Sequence, residues 1–150
     1  MTETLRHADT DLDIAACFPV MRILRPHIAS AEDLVERVRA QMPERYRILA
    51  AWNGEAVIGL AGYRFQSNLI RGPFCYVDDL VVASDHRRFG LGARLLDAVA
   101  TETRGVGVTA EARGVASLVL DTAMDNALGQ RFYFRYGMLP GALRFVKKLD

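Results

Sequence analysis

"FCYVDDLVVASDHRRFGLGARLL" (residues 74–96) runs from an apolar stretch through a polar turn and a pair of glycines into the start of a helix. The first nine residues are rich in β-branched and aromatic side chains and predict a strand, which "ASDHRR" ends. A glycine-rich turn feeding a helix N-terminus leaves backbone N–H groups unpaired and places beside them the positive end of a dipole worth about half a charge. Arg87 and Arg88 add positive charge at the same point, so the junction suits an anion and above all a phosphate. It is not a Walker A loop, because no Lys-Ser or Lys-Thr follows Gly90 or Gly92. It is not a dinucleotide fingerprint either, because the position three after Gly92 is Leu95.

Working outward, "SLVLDTA" (residues 117–123) predicts the next strand, "NALGQRFYFRYG" (126–137) a helix closed by Gly137, and "ALRFVKKL" (142–149) a final strand. Upstream, "TLRHA" reads as a first strand. Residues 11–24 carry Leu12, Ala15, Ala16, Val20 and Ile23 at helical spacings, with Pro19 set to break or kink that helix. "SAEDLVERVRAQM" (30–42) is an amphipathic helix with Ser30 as N-cap and Leu34, Val38 and Met42 on one face. From Tyr46 the period changes: "YRILAAW", the Asn-Gly turn and "AVIGLAGYRF" predict a β-hairpin, followed by a loop over Gln66–Pro73. Interleaved strands and helices without repeat or linker imply one α/β domain over residues 1–150.

Composition narrows the function. Nineteen basic residues against eighteen acidic give a net charge of +1, without the basic excess of a nucleic-acid or membrane-surface binder. No stretch has the apolar length of a membrane span, and the N-terminal residues have neither the basic patch nor the apolar core of a secretory signal, so a cytoplasmic protein is expected. Cys17 and Cys75 are too few for a disulfide framework and stand at no metal-ligand spacing, so no metal is expected. His7, His27 and His86 do not cluster. Arg37, Arg39, Arg45 and Arg47 read as a solvated face.

Arg87, Gly90 and Gly92 meet the pattern Gln/Arg-x-x-Gly-x-Gly/Ala directly after the "DDLVV" strand, and Asn126 is followed seven residues on by Tyr133 and then by the helix-ending Gly137. In this the chain resembles the GNAT superfamily of acetyl-CoA-dependent N-acetyltransferases over roughly residues 46–149. The resemblance implies a mixed, mostly antiparallel sheet of six to seven strands with about four helices, splayed between the strand before and the strand after the glycine-loop helix. It implies acetyl-CoA as co-substrate, with the pantetheine arm against the main chain of Leu80, Val81 and Val82. The pyrophosphate would lie against Arg87, Arg88, Phe89, Gly90, Leu91 and Gly92, and Asn126 would contact the cofactor arm. A primary amine on a small molecule would attack the thioester in a ternary complex. The oxyanion would be met by a backbone N–H near Val81, and Tyr133 would act as general acid.

For the general base Asp78 is favoured, then Asp79, with Asp121 the third candidate; on adjacent strand positions Asp78 and Asp79 would face opposite sides, so that only one meets the amine. Tyr76 stands where histone-modifying relatives carry glutamate, which argues against that class of substrate. Each aspartate could equally be a solvated partner for arginine, and Tyr133 could be ordinary aromatic core. Between Gly92 and Ser117 the chain is about two helical turns longer than the family's usual length, and a helix continuing there would set Leu95, Val99, Val106 and Ala110 in one stripe unless Gly105 and Gly107 break it. The ending faintly resembles aminoalkylphosphonate acetyltransferases, which suggests an amine carrying an anionic group, with the Gln66–Pro73 loop and the first two helices as the substrate wall. A homodimer is expected. The competing readings are a non-catalytic acyl-CoA-binding regulatory module and acetylation of a protein or peptide amine.

Overall fold

The computed structural model describes residues 3–107 and 116–150. Five strands form one sheet in the order β1 (Thr4–His7), β2 (Arg47–Asn53), β3 (Ala56–Asn68), β4 (Gly72–Val82), β5 (Leu118–Leu120). All pairs are antiparallel except β4 with β5, which run parallel. Helices α1 (Asp11–Ala16), α2 (Phe18–Leu24) and α3 (Ala31–Gln41) precede β2; α4 (Leu91–Gly107) and α5 (Ala127–Tyr136) flank β5 in sequence. No helix among the described residues is long and apolar enough to cross a membrane.

Local chemistry explains most boundaries. Thr10 caps α1 by accepting from the Asp13 N–H, and Ser30 caps α3 by accepting from the Asp33 N–H. The helix expected over residues 11–24 breaks at Cys17, with Pro19 inside the first turn of α2, where its missing N–H costs nothing. Val20 is buried as expected, together with Ile14, Cys17 and Met21, whereas Leu12 and Ile23 of the expected stripe are exposed. Gly54, at φ +63°, makes the tight turn between β2 and β3.

Two cores sandwich the sheet. Tyr46, Ile48, Ala50, Trp52, Leu60 and Val81 pack under α1–α3. Leu49, Ala51, Ala61, Tyr63, Cys75 and Val77 pack under α4 through Leu91, Leu95, Leu96 and Val99. Cys17 and Cys75 are both buried, as expected of small hydrophobes, and burial pushes their thiols up to about 12 and about 11.

The structure corrects several expectations. Among the described residues the sheet has five strands rather than six to seven, and five α-helices accompany it where about four were expected. Residues 142–149 form no strand, because a strand needs a ladder and this segment meets none among the described residues. The Gln66–Pro73 segment is not a loop: β3 continues to Asn68 and β4 starts at Gly72, so only three residues turn. Helix α4 passes through Gly105 to Gly107, but Val106 is exposed and not part of the buried stripe; Ala110 lies outside the described residues.

Candidate active site

The site is built on an irregularity in β4. Asp79 stands opposite Gly62 and Val77 opposite Tyr63, so Asp78 is an extra residue without a counterpart, a β-bulge. The bulge reverses the alternation of the strand: Val77 faces the α4 core, while Asp79 and Val81 face α1–α3. Asp78 and Asp79 therefore both line one cavity, which corrects the expectation that they face opposite sides. The cavity encloses about 240 Å³ between α2, α3 and β4, and Arg25, His27, Arg37 and Tyr46 also line it.

The two carboxylates are held differently. Asp79 is buried; its Oδ1 accepts from Arg25 Nε at 2.8 Å and its Oδ2 from the Tyr46 hydroxyl at 2.6 Å. Arg25 Nη2 also donates to the Asp78 carbonyl at 2.8 Å, fixing the bulge itself. Asp78 is half-buried and accepts from Arg64 Nε at 2.9 Å, while Arg64 also donates to Glu44 and Gln41. Burial pushes the Asp78 carboxyl above its usual range, against the opposing pull of Arg64. Burial likewise keeps the Tyr46 phenol protonated far beyond neutral pH, with Asp79 reinforcing the effect.

Gly62 is the residue that permits this contact. A Cβ there would lie 1.9 Å from the Tyr46 oxygen and 2.8 Å from Asp79 Oδ2. Sequence reasoning missed Arg25, Tyr46, Gly62 and Arg64, because each acts through partners distant in the chain; no local pattern announces them.

The other edge of β4 opens where the bulge begins. β5 pairs with β4 only from Cys75 to Val77, so Leu80, Val81 and Val82 lie beyond the ladder, beside a gap. At the end of that edge come a short 3-10 turn and the glycine loop. Arg88 and Gly90 are left-handed, at φ +73° and +77°, and the first turn of α4 begins with Arg94 N–H donating to Gly90 O. The N–H groups that start the helix have no intrahelical acceptor, as at any helix N-terminus. Arg87 turns back to donate to Val82 O, Phe89 is exposed, and Leu91 is core. Gly92 packs against α5: a Cβ on it would be 3.3 Å from the Phe132 ring.

Tyr133, half-buried beside the Phe132 ring, has its phenol pushed up by burial and so stays protonated at neutral pH. Asn126 is the N-cap of α5, accepting from Gly129 N–H at 3.0 Å and donating to Thr122 at 3.1 Å. Its amide thus has a sufficient structural role. Asp121 accepts from Tyr76 at 2.6 Å and pairs with Arg144, away from the cavity lining. Among the described residues no cluster could hold a metal ion.

The GNAT acetyltransferase family model matches residues 16–138. The chain belongs to the GNAT family. It is an N-acetyltransferase of a family that takes its acetyl group from acetyl-CoA. No curated protein sequence matches it. Among solved structures it resembles a transcriptional regulator from Bacillus halodurans, at 20% identity and TM-score 0.79, covering 99% of this chain and all of the other. It is similar to glucosamine-6-phosphate N-acetyltransferase from Arabidopsis thaliana, at 16% identity and TM-score 0.72 over the whole of both chains. It is also similar to the aminoglycoside N-acetyltransferase AAC(6')-Iy solved with CoA, at 15% identity and TM-score 0.78, covering 99% and 97%. Likenesses at these identities speak for the fold.

Proposed function

We propose that the chain transfers the acetyl group of acetyl-CoA directly to the primary amine of a small molecule, both being bound at once. The observation that carries this reading is the bulged β4. One side presents two carboxylates to a cavity, and the opposite edge is free of β5 from Asp78 onward.

The donor fits the free edge. The main chain of Leu80–Val82 can pair with an amide-bearing arm lying in the gap, and the left-handed turn at Arg88–Gly90 aims helix N–H groups at a pyrophosphate. Gly90 adopts a backbone that side chains rarely take, and Gly92 lets the loop close on Phe132. Asn126, the N-cap of α5, would meet the arm only in addition to its capping duty.

The acceptor fits the cavity. Asp78 is the general base: its carboxyl is half-buried, holds its proton more tightly than a solvated aspartate, and retains one oxygen beyond its bond to Arg64. Asp79 is the positioning group, since both its oxygens are already engaged by Arg25 and Tyr46. A backbone N–H near Val81 meets the developing oxyanion, and Tyr133 returns a proton to the leaving thiolate. Two structural neighbours carry amino-sugar substrates in their names, which supports a small amine as acceptor.

Thermal unfolding with and without acetyl-CoA, followed by thiol release across a panel of amines, tests the reading. A ligand that binds only the native chain at a hundredfold excess over its dissociation constant adds about 2.7 kcal/mol. A raised midpoint with thiol release on one class of amine is expected. No shift would sink the donor site, and a shift with no release on any amine would favour a binding module over an enzyme.

A further inference from the structure

A bulge residue has no counterpart on the neighbouring strand, so contacts outside the ladder must fix its course. For Asp78 two arginines supply them. Arg25 takes the main-chain carbonyl, and Arg64 takes the carboxylate, donating from Nε to Oδ2 at 2.9 Å. Arg25 gives its own Nε to Asp79, which leaves Arg64 as the one cation bonded to the Asp78 carboxylate among the described residues.

Arg64 is itself held from three directions. Its side chain is only 12% exposed. Besides Asp78 on β4, it donates from Nη1 to Glu44 at 3.0 Å, in the 3-10 turn Met42–Glu44, and from Nη2 to Gln41 Oε1 at 2.7 Å, at the last residue of α3. The Tyr46 ring centroid lies 5.3 Å from its Cζ, and the hydroxyl of that ring is the group that holds Asp79. A planar fork with three partners on three elements keeps one orientation, which the rotating ammonium of a lysine does not. The bond occupies Oδ2 and leaves Oδ1 of Asp78 for a proton from substrate.

Charge points the same way as geometry. Burial is the largest influence on the Asp78 carboxyl and pushes it up; Arg64 pulls it down, Asp79 adds a smaller push and Arg25 a smaller pull. His27 and Arg37 line the same cavity, and Tyr76, opposite Arg64 in the ladder, gives its hydroxyl to Asp121. A carboxyl that became neutral on burial could take no proton from an amine.

We propose that Arg64 is the positioning residue for the general base, aiming the Asp78 carboxylate into the acceptor cavity and countering its burial with a fixed positive charge, with Gln41 and Glu44 as its anchors. The role rests on Asp78 being the base, but the contact can be followed without turnover.

Carbon-13 NMR of the full-length protein with labelled aspartate reports the Asp78 carboxyl, its signal identified by its loss in Asp78→Asn. Thiol release against pH is followed on the same variants with the amine that reacts in the panel above. Arg64→Gln should raise the titration midpoint of Asp78 by about one pH unit or more and carry the acid limb of the rate profile with it, while circular dichroism stays native. Arg64→Lys keeps the charge and loses the fork, so the midpoint should stay near that of the parent while kcat falls about tenfold and KM for the amine holds. Should the glutamine variant fail to fold, the lysine variant decides. An unmoved midpoint in Arg64→Gln, or the parent's kcat in Arg64→Lys, overturns the proposal directly. A midpoint that moves without the acid limb, or a parent that releases thiol with no amine, overturns it through its premise, since Asp78 would then not be the base.

Discussion

Replacing Gly62 by alanine probes the core of the site with a single methyl group. The added Cβ would stand 1.9 Å from the Tyr46 oxygen, 2.6 Å from its ring carbon Cζ and 2.8 Å from Asp79 Oδ2. Backbone on both sides is fixed by β2 and β4, so the tyrosine must move, and moving it breaks the 2.6 Å bond to Asp79. Overpacking a core costs about 1–3 kcal/mol, and a hydrogen bond to a charged group is worth about 1.5–3 kcal/mol. The two overlap, because relief of the clash is what breaks the bond, so a net loss of about 3 kcal/mol is expected. For a domain of this length that lowers the unfolding midpoint by about 6–12 °C. Urea and thermal unfolding measure it. Tyr46→Leu opens the space, so the double variant should be less destabilised than the two single losses added together. A Gly62→Ala protein within about 0.5 kcal/mol of the parent, the range of ordinary surface changes, would refute the Tyr46–Asp79 contact and with it the positioning role.

The remaining predictions address the chemistry. Asp78→Asn should lower kcat by about 10²- to 10⁴-fold and abolish the acid limb of the pH–rate profile, which in the parent lies above the usual aspartate value of 3.8 because burial raises that carboxyl. The sign for stability is also fixed. The folded carboxyl binds its proton more tightly than the unfolded one, so the parent loses stability relative to the asparagine variant as pH climbs through the window above 3.8. Tyr133→Phe should cut kcat while calorimetry finds acetyl-CoA affinity unchanged; full activity would remove it as the acid. Gly90→Asp puts a side chain on a backbone at φ +77° and a negative charge beside the helix start, so the dissociation constant for coenzyme A should rise at least about tenfold. Unchanged affinity would move the phosphates elsewhere.

What the sequence made legible follows from the range over which each feature is determined. The strand, polar turn, glycine pair and helix of residues 74–96 are set by neighbours, as is the Ser30 cap, and all could be read along the chain. The direction of Asp78 could not, because a bulge is a property of pairing: it depends on which residue of β3 stands opposite. Arg25, Tyr46 and Arg64 escaped for the same reason, reaching their aspartates across 54, 33 and 14 residues. The final strand was legible as a pattern, since 142–149 does alternate, but pattern supplies only one half of a ladder.

The extra residue at position 78 links the two halves of the site. A bulge bends its strand and sharpens its twist, and the β5 ladder ends at Val77, one residue before it. Beyond that point the strand's outer edge is free for the donor, and the reversed alternation turns a second carboxylate toward the acceptor cavity. Substituting Asp78 and deleting it should therefore behave differently. Asparagine preserves the bulge, which Arg25 holds through the main-chain carbonyl rather than the side chain, so the variant should fold normally and lose only rate. Deletion makes Val77 and Asp79 neighbours, which restores regular alternation with every other side chain still on its own side of the sheet, so this variant too should unfold cooperatively by circular dichroism. It removes the bend and added twist that accompany the end of the β5 ladder, so it should lose coenzyme A affinity as well as rate. If the deletion variant bound coenzyme A as tightly as the asparagine variant, the bulge would be incidental, and the coupling of a free edge on one side to paired carboxylates on the other would need a different cause.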